Sequence, residues 1–133
     1  MRAFLSLMGA CALMSVVVPA FGHHSFDAEF DRKKPVTLKG TVTKLEWMNP
    51  HVWVYLNVTG TDGKTALWQC ENGAPNMLKR AGWNRESIKE GDVITIDGSL
   101  AKDGSNTCNA STLVLADGKK VFAGSSGGDG KAK

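Results

Sequence analysis

"VTLKGTV", residues 36–42, alternates Val36, Leu38 and Val42 with Thr37, Lys39 and Thr41, and places Gly40 on the apolar side. Alternation of period two is the signature of a half-buried strand, and a glycine at an inward position marks a bend or bulge. The following "TKLEW", residues 43–47, moves the apolar phase to Leu45 and Trp47, as a bulge does. A long, strongly curved first strand is the expectation.

The residues on its C-terminal side repeat the strand pattern. After the turn chemistry of "MNP", "HVWVYLNV" (51–58) sets Val52, Val54, Leu56 and Val58 on one face and Trp53 and Tyr55 on the other, so both faces are at least partly covered. "TGTDGK" is a hairpin connection, and "TALWQCEN" (65–72) is a third strand. "GAPNMLKRAGW" reads as a short helix with Pro75 at its first position and Gly82 as its stop. Asn84 is a capping candidate for one further turn. "VITIDGSL" is a fourth strand, "AKDGSNTCNA" a polar loop, and "STLVLADGKKVFAG" a fifth strand or a hairpin around Asp117 and Gly118. Three meandering strands, a helix and two more strands describe a mainly β fold. It is a small five-stranded OB-fold-like barrel with one short helix between strands three and four. An open sandwich of the same strands is the alternative.

The chain has 133 residues, enough for one domain. Residues 1–22 carry Arg2, an apolar run and the small residues Ala20 and Gly22, which reads as a secretory signal peptide cut after Gly22, or alternatively after Ala20. Residues 23–35 read as an irregular N-terminal arm, 36–124 as the barrel domain, and the low-complexity 125–133 as a disordered tail. Cleavage leaves no stable membrane span and places the protein in the periplasm or outside a bacterial cell. It also leaves 15 basic against 13 acidic residues, too even a balance for a nucleic-acid partner. Two cysteines remain, Cys70 and Cys108, and an even count in an exported chain favours a disulfide. Closing a loop of roughly 40 residues is worth about 4 kcal/mol in the chain-entropy model.

"HHSFDAEFD…KPVTLKGTVTKLEWMNPHVW", "GAPNMLKRAGW", "GDVITIDG" and "AKDGSNT…ADGKKVFAG" together resemble an uncharacterised exported bacterial domain-of-unknown-function family, over nearly all of residues 23–125. The resemblance implies export and a small β domain, and supplies no activity.

The three histidines fall in two motifs, "HHS" and "NPH". If His23 is the mature terminus, its amine and imidazole chelate a metal together. His51, at the entry to strand two, is the natural third nitrogen, with His24 as its rival. Such a tetragonal nitrogen set suits Cu(II). The other cut leaves Phe21-Gly22-His23, where the amine, two amides and the imidazole form a square-planar copper site without His51. Asp27 and Glu29 are candidates to orient the imidazoles through hydrogen bonds.

A second candidate is an aromatic strand face of Trp47, Trp53 and Tyr55, for a small envelope ligand or an envelope protein partner. Against it, Trp53 and Trp68 are expected to fill the core of so small a domain. Glu71 and Asn72 lie beside the helix start, where capping is the simplest role. No phosphate loop, zinc pattern or paired catalytic carboxylates stand out, so no enzyme is expected. The sequence thus points to an exported binding protein, with copper handling or delivery as its first reading. The alternatives are a metal-free envelope binding module or a structural envelope component.

Overall fold

The computed structural model describes residues 25–124. The leader, His23, His24 and the tail from 125 onward lie outside the described residues. A short helix α1 (Phe26–Glu29) leads into strand β1 (Phe30–Glu46), followed by β2 (Trp53–Thr59) and β3 (Thr65–Glu71). Helix α2 (Pro75–Arg80) and a 3-10 turn (Arg85–Ser87) separate these from β4 (Val93–Ala101), β5 (Thr107–Val114) and β6 (Lys120–Phe122).

The sheet order is β3-β2-β1-β4-β5-β6, and β3 also pairs with β5. That pairing is parallel, over Gln69↔Thr107, Cys70↔Cys108 and Glu71↔Asn109. It closes strands β1, β2, β3, β5 and β4 into a ring, the connectivity of an OB-type barrel with its helix between β3 and β4. The sixth strand is the return of a hairpin from β5, with Gly118 in the left-handed region at φ 86°. The five-stranded expectation therefore holds for the ring, and the hairpin reading holds for its last segment.

β1 makes the barrel possible because it pairs with both neighbours. Residues from Phe30 to Thr41 pair with β4, and those from Gly40 to Glu46 pair with β2. Gly40 belongs to both ladders, and a Cβ there would collide with the Asn57 carbonyl oxygen. The absence of a side chain lets β2 approach the bend. The phase change read from "TKLEW" is a register shift between Val42 and Lys44.

The segment 23–35 is not an irregular arm where it is described. Residues 26–29 are helical, and Phe30 and Asp31 pair with Ala101 and Leu100 across a second register shift that ends at Pro35. The run of charges at 31–34 sits in that shift, which removes the alternation that would have revealed a strand.

The interior is built from inward positions of every ring strand. Val42, Val54, Leu56, Cys70, Ile94, Ile96 and Leu113 are all buried, and Leu78 of α2 is fully buried with them. The tryptophan that fills the core is Trp83, 1% exposed, whose Nε1 donates to the Phe122 carbonyl at 2.9 Å. Trp53 instead lies on the outer face of β2, half-buried. Trp68 packs partly buried against the core.

Helix α2 starts at Pro75 as expected but takes no side-chain cap; its N-cap is Ala74. Asn72 turns back to β2 and β3 instead, donating from Nδ2 to the carbonyls of Cys70 at 3.0 Å and Val52 at 3.4 Å. Asn84 does cap the 3-10 turn, in a reciprocal box with Ser87. Cys70 and Cys108, both fully buried, form a disulfide across the parallel β3–β5 seam, with Cα atoms 4.6 Å apart. A disulfide of this kind is consistent with an oxidising compartment. Among the described residues, no helix is long and apolar enough to cross a membrane.

Candidate functional site

The outer face of the ring carries the polar residues that sequence reading singled out, together with some it did not. Residues directly opposite on paired strands project to the same side. Glu46 lies opposite Trp53, Trp53 opposite Glu71, and Glu71 opposite Asn109, so these four form a row across β1, β2, β3 and β5. Lys44, Tyr55, Gln69 and Thr107 form the next row.

His51 sits at the entry to β2, above the first of these rows. Its Nδ1 contacts the Glu71 carboxylate, with side chains 22% and 8% exposed respectively. A carboxylate withdrawn that far from water is costly unless it is paired, so the imidazole and the carboxylate hold one another in place. A neutral imidazole whose Nδ1 proton faces a carboxylate carries its basic lone pair on Nε2. Metal-ligating histidines are commonly oriented this way. Asn109, 5% exposed, flanks Glu71 on the next strand. The disulfide, one residue before each of them, fixes the two strands side by side.

Sequence reading gave Glu71 only a place beside the helix start and did not foresee its contact with His51. Asp27 accepts from Arg32 Nε at 3.1 Å, and the Arg32 guanidinium also lies 4.3 Å over the Phe26 ring. Glu29 accepts at its backbone carbonyl from the Lys102 amide at 2.8 Å. The Lys102 ammonium donates to the Asp27 carbonyl, so α1 is tied to the β4–β5 loop through both ends of one lysine. His23 and His24 immediately precede the described residues, and their positions are not part of the site described. Among the described residues, no group of three His, Cys, Asp or Glu side chains is arranged to hold a metal ion.

The aromatic face divides. Trp53 and Tyr55 share the outer surface, whereas Trp47 turns to the core side, edge-on to Trp83 at 5.6 Å, and its carbonyl accepts from Arg85. Tyr55 donates to Glu46 at 3.0 Å, and the Lys44 ammonium contacts the same carboxylate while lying 5.3 Å from the Tyr55 ring. Burial first, and then the Glu46 hydrogen bond, push the Tyr55 phenol above its ordinary value. Lys44 and Tyr55 together hold the Glu46 carboxyl below the usual carboxylate range.

Beside Trp53 a cleft of about 670 Å³ opens between α1, the outer face and the β4–β5 loop. A smaller one of about 230 Å³ adjoins it at Tyr55, Leu67 and Trp68, the two sharing Gln69, Ser105 and Thr107.

Fold and site together define a disulfide-bearing OB-type barrel whose outer face carries a carboxylate-oriented histidine beside a mixed aromatic and polar cleft. The chain belongs to the family of unknown function DUF6152, whose profile matches residues 11–110. No curated protein sequence matches it. Among solved structures it is similar to the mitochondrial single-stranded DNA binding protein Rim1 of S. cerevisiae. The identity is 10%, the TM-score 0.48, and the match covers 62% of this chain and 92% of that one.

Proposed function

We propose that the protein is an exported, periplasmic or secreted, copper-binding protein that holds Cu(II) at its mature N-terminus, with His51 as the ligand supplied by the barrel. The observation that supports it is the contact between His51 Nδ1 and the buried Glu71 carboxylate, which orients the imidazole as metal-ligating histidines are commonly oriented, and Nε2 is the nitrogen we assign to the metal. The terminal amine and the imidazole of His23 complete a nitrogen-rich set that favours Cu(II), and His24 is the alternate donor. The leader and the disulfide fit an oxidising compartment, where Cu(II) persists. Binding and handing on the metal is the role; the site has no step of catalysis assigned to it.

A competition titration of the processed protein with Cu(II) tests the reading. One Cu(II) per chain is expected. His51→Ala should weaken binding at least tenfold, and Glu71→Gln should weaken it roughly 10–100-fold, the usual effect of removing a carboxylate behind a metal-bound histidine. Affinity indifferent to both substitutions would overturn it.

A further inference from the structure

We propose a second site, separate from copper: the cleft beside Trp53 binds a neutral saccharide, with one pyranose ring stacked on the Trp53 indole. The cleft's volume of about 670 Å³ lies within the range of small-ligand sites. Its lining is divided by chemistry. Half-buried Trp53 supplies aromatic surface, and Gln69, Ser105 and Thr107 supply a polar wall beside it.

That wall is internally ordered. Gln69 Nε2 donates to Thr107 Oγ1 at 3.1 Å, and the Ser105 hydroxyl donates to the same oxygen at 2.9 Å. The Ser105 amide in turn donates to the Asp103 carboxylate at 2.9 Å. With both lone pairs of Thr107 Oγ1 engaged, its hydroxyl proton remains to be donated outward. Gln69 Oε1 is an acceptor beside it. A donor and an acceptor side by side, next to an aromatic surface, match adjacent ring hydroxyls on a sugar whose C–H face is apolar.

The charges of the cleft narrow the ligand. Lys102, its one ammonium among the lining residues, is engaged with the Asp27 carbonyl, while Glu29 and Asp103 add negative charge. A phosphorylated or carboxylated ligand would meet two carboxylates against a single ammonium, an unfavourable balance that a neutral polyol does not face. Gln69 sits on β3, Thr107 on β5 and Ser105 on the β4–β5 loop, held by the β3–β5 seam, so the wall is formed before the ligand arrives.

The test uses the processed, full-length protein in the presence of a chelator, so that its outcome is independent of copper. Titration calorimetry with cellobiose and with N,N′-diacetylchitobiose is expected to show one site per chain. Saturation-transfer NMR should show transfer from aromatic protons to sugar ring protons. Trp53→Ala and Thr107→Val should each weaken binding at least about tenfold, equivalent to about 1.4 kcal/mol, while Cu(II) affinity stays unchanged. Thr107→Val replaces an outer-face hydroxyl by a methyl group and provides the test if Trp53→Ala fails to fold. The proposal is overturned if neither disaccharide binds at about 10 mM, a dissociation constant equivalent to under 3 kcal/mol. It is equally overturned if both variants bind as the wild type does, or if adenine, an aromatic ligand that stacks without any polyol, binds more tightly than either sugar.

Discussion

Reducing the disulfide should cost this domain a large part of its stability. The ring is closed by only three register pairs between β3 and β5, and Cys70–Cys108 is the middle one. With a sequence separation of 38, the chain-entropy relation gives about 13 cal/mol/K, or about 4 kcal/mol at 25 °C. Typical domains have a total stability of about 5–15 kcal/mol. For a domain of this size, each kcal/mol moves the melting temperature by about 4–8 °C, so a fall of about 15–30 °C is expected. The assay is differential scanning calorimetry of the wild type with and without a phosphine reductant, alongside the Cys70→Ala/Cys108→Ala variant. Reduction isolates the cross-link; the double variant adds the loss of two buried sulfur atoms. A fall of less than about 5 °C in both, near what 1 kcal/mol produces, would refute the claim that the bridge secures the seam.

Gly40→Val should destabilise by about 1–3 kcal/mol in denaturant titration, because its Cβ meets the Asn57 carbonyl oxygen and Val58 Cγ2, the latter at 3.0 Å. Trp83→Phe should cost about 1–3 kcal/mol by the same measurement, since it leaves the Phe122 carbonyl without its donor. Tyr55 is the chain's single tyrosine, so absorbance at 295 nm reads its phenol alone. The titration midpoint should lie above 10, and Glu46→Gln should bring it down by removing the hydrogen bond and the charge that help raise it. Because the folded phenol titrates above the unfolded one, its contribution to stability is present below pH 10 and is lost as the pH rises through the folded value.

Much of the ring was legible in the sequence, for physical reasons that also mark where legibility stops. Alternation around Gly40 and the phase change after Val42 report the bend and bulge of β1 directly, because inward and outward positions differ in polarity there. At 31–34 the register shift and the run of charges erase that contrast, so the first part of the strand reads as an arm. Strand β2 is apolar on both faces, and alternation alone cannot say which face is inside. Trp53 was therefore expected in the core, where the structure places Trp83. Even cysteine parity signalled the disulfide, but its place follows from the parallel β3–β5 closure, a non-local pairing. Glu71 is twenty residues from His51 and has no local motif. Its signal was the hairpin at 60–64, since counting back from that turn sets Trp53 against Glu71 and brings the carboxylate to the start of β2. The other two histidines of the copper reading lie outside the described residues, so His51 and Glu71 are the part of that site the fold positions.

The most direct test of the copper reading is native mass spectrometry of the protein recovered from its own export route, wild type and His51→Ala, after exposure to Cu(II). A mass beginning at His23, with one copper retained by the wild type and lost from His51→Ala, is the predicted result. Copper retained equally by both, on a chain beginning at Phe21, would contradict the role of His51 and assign the metal to the Phe-Gly-His terminus. No copper on either would remove the metal from the account altogether.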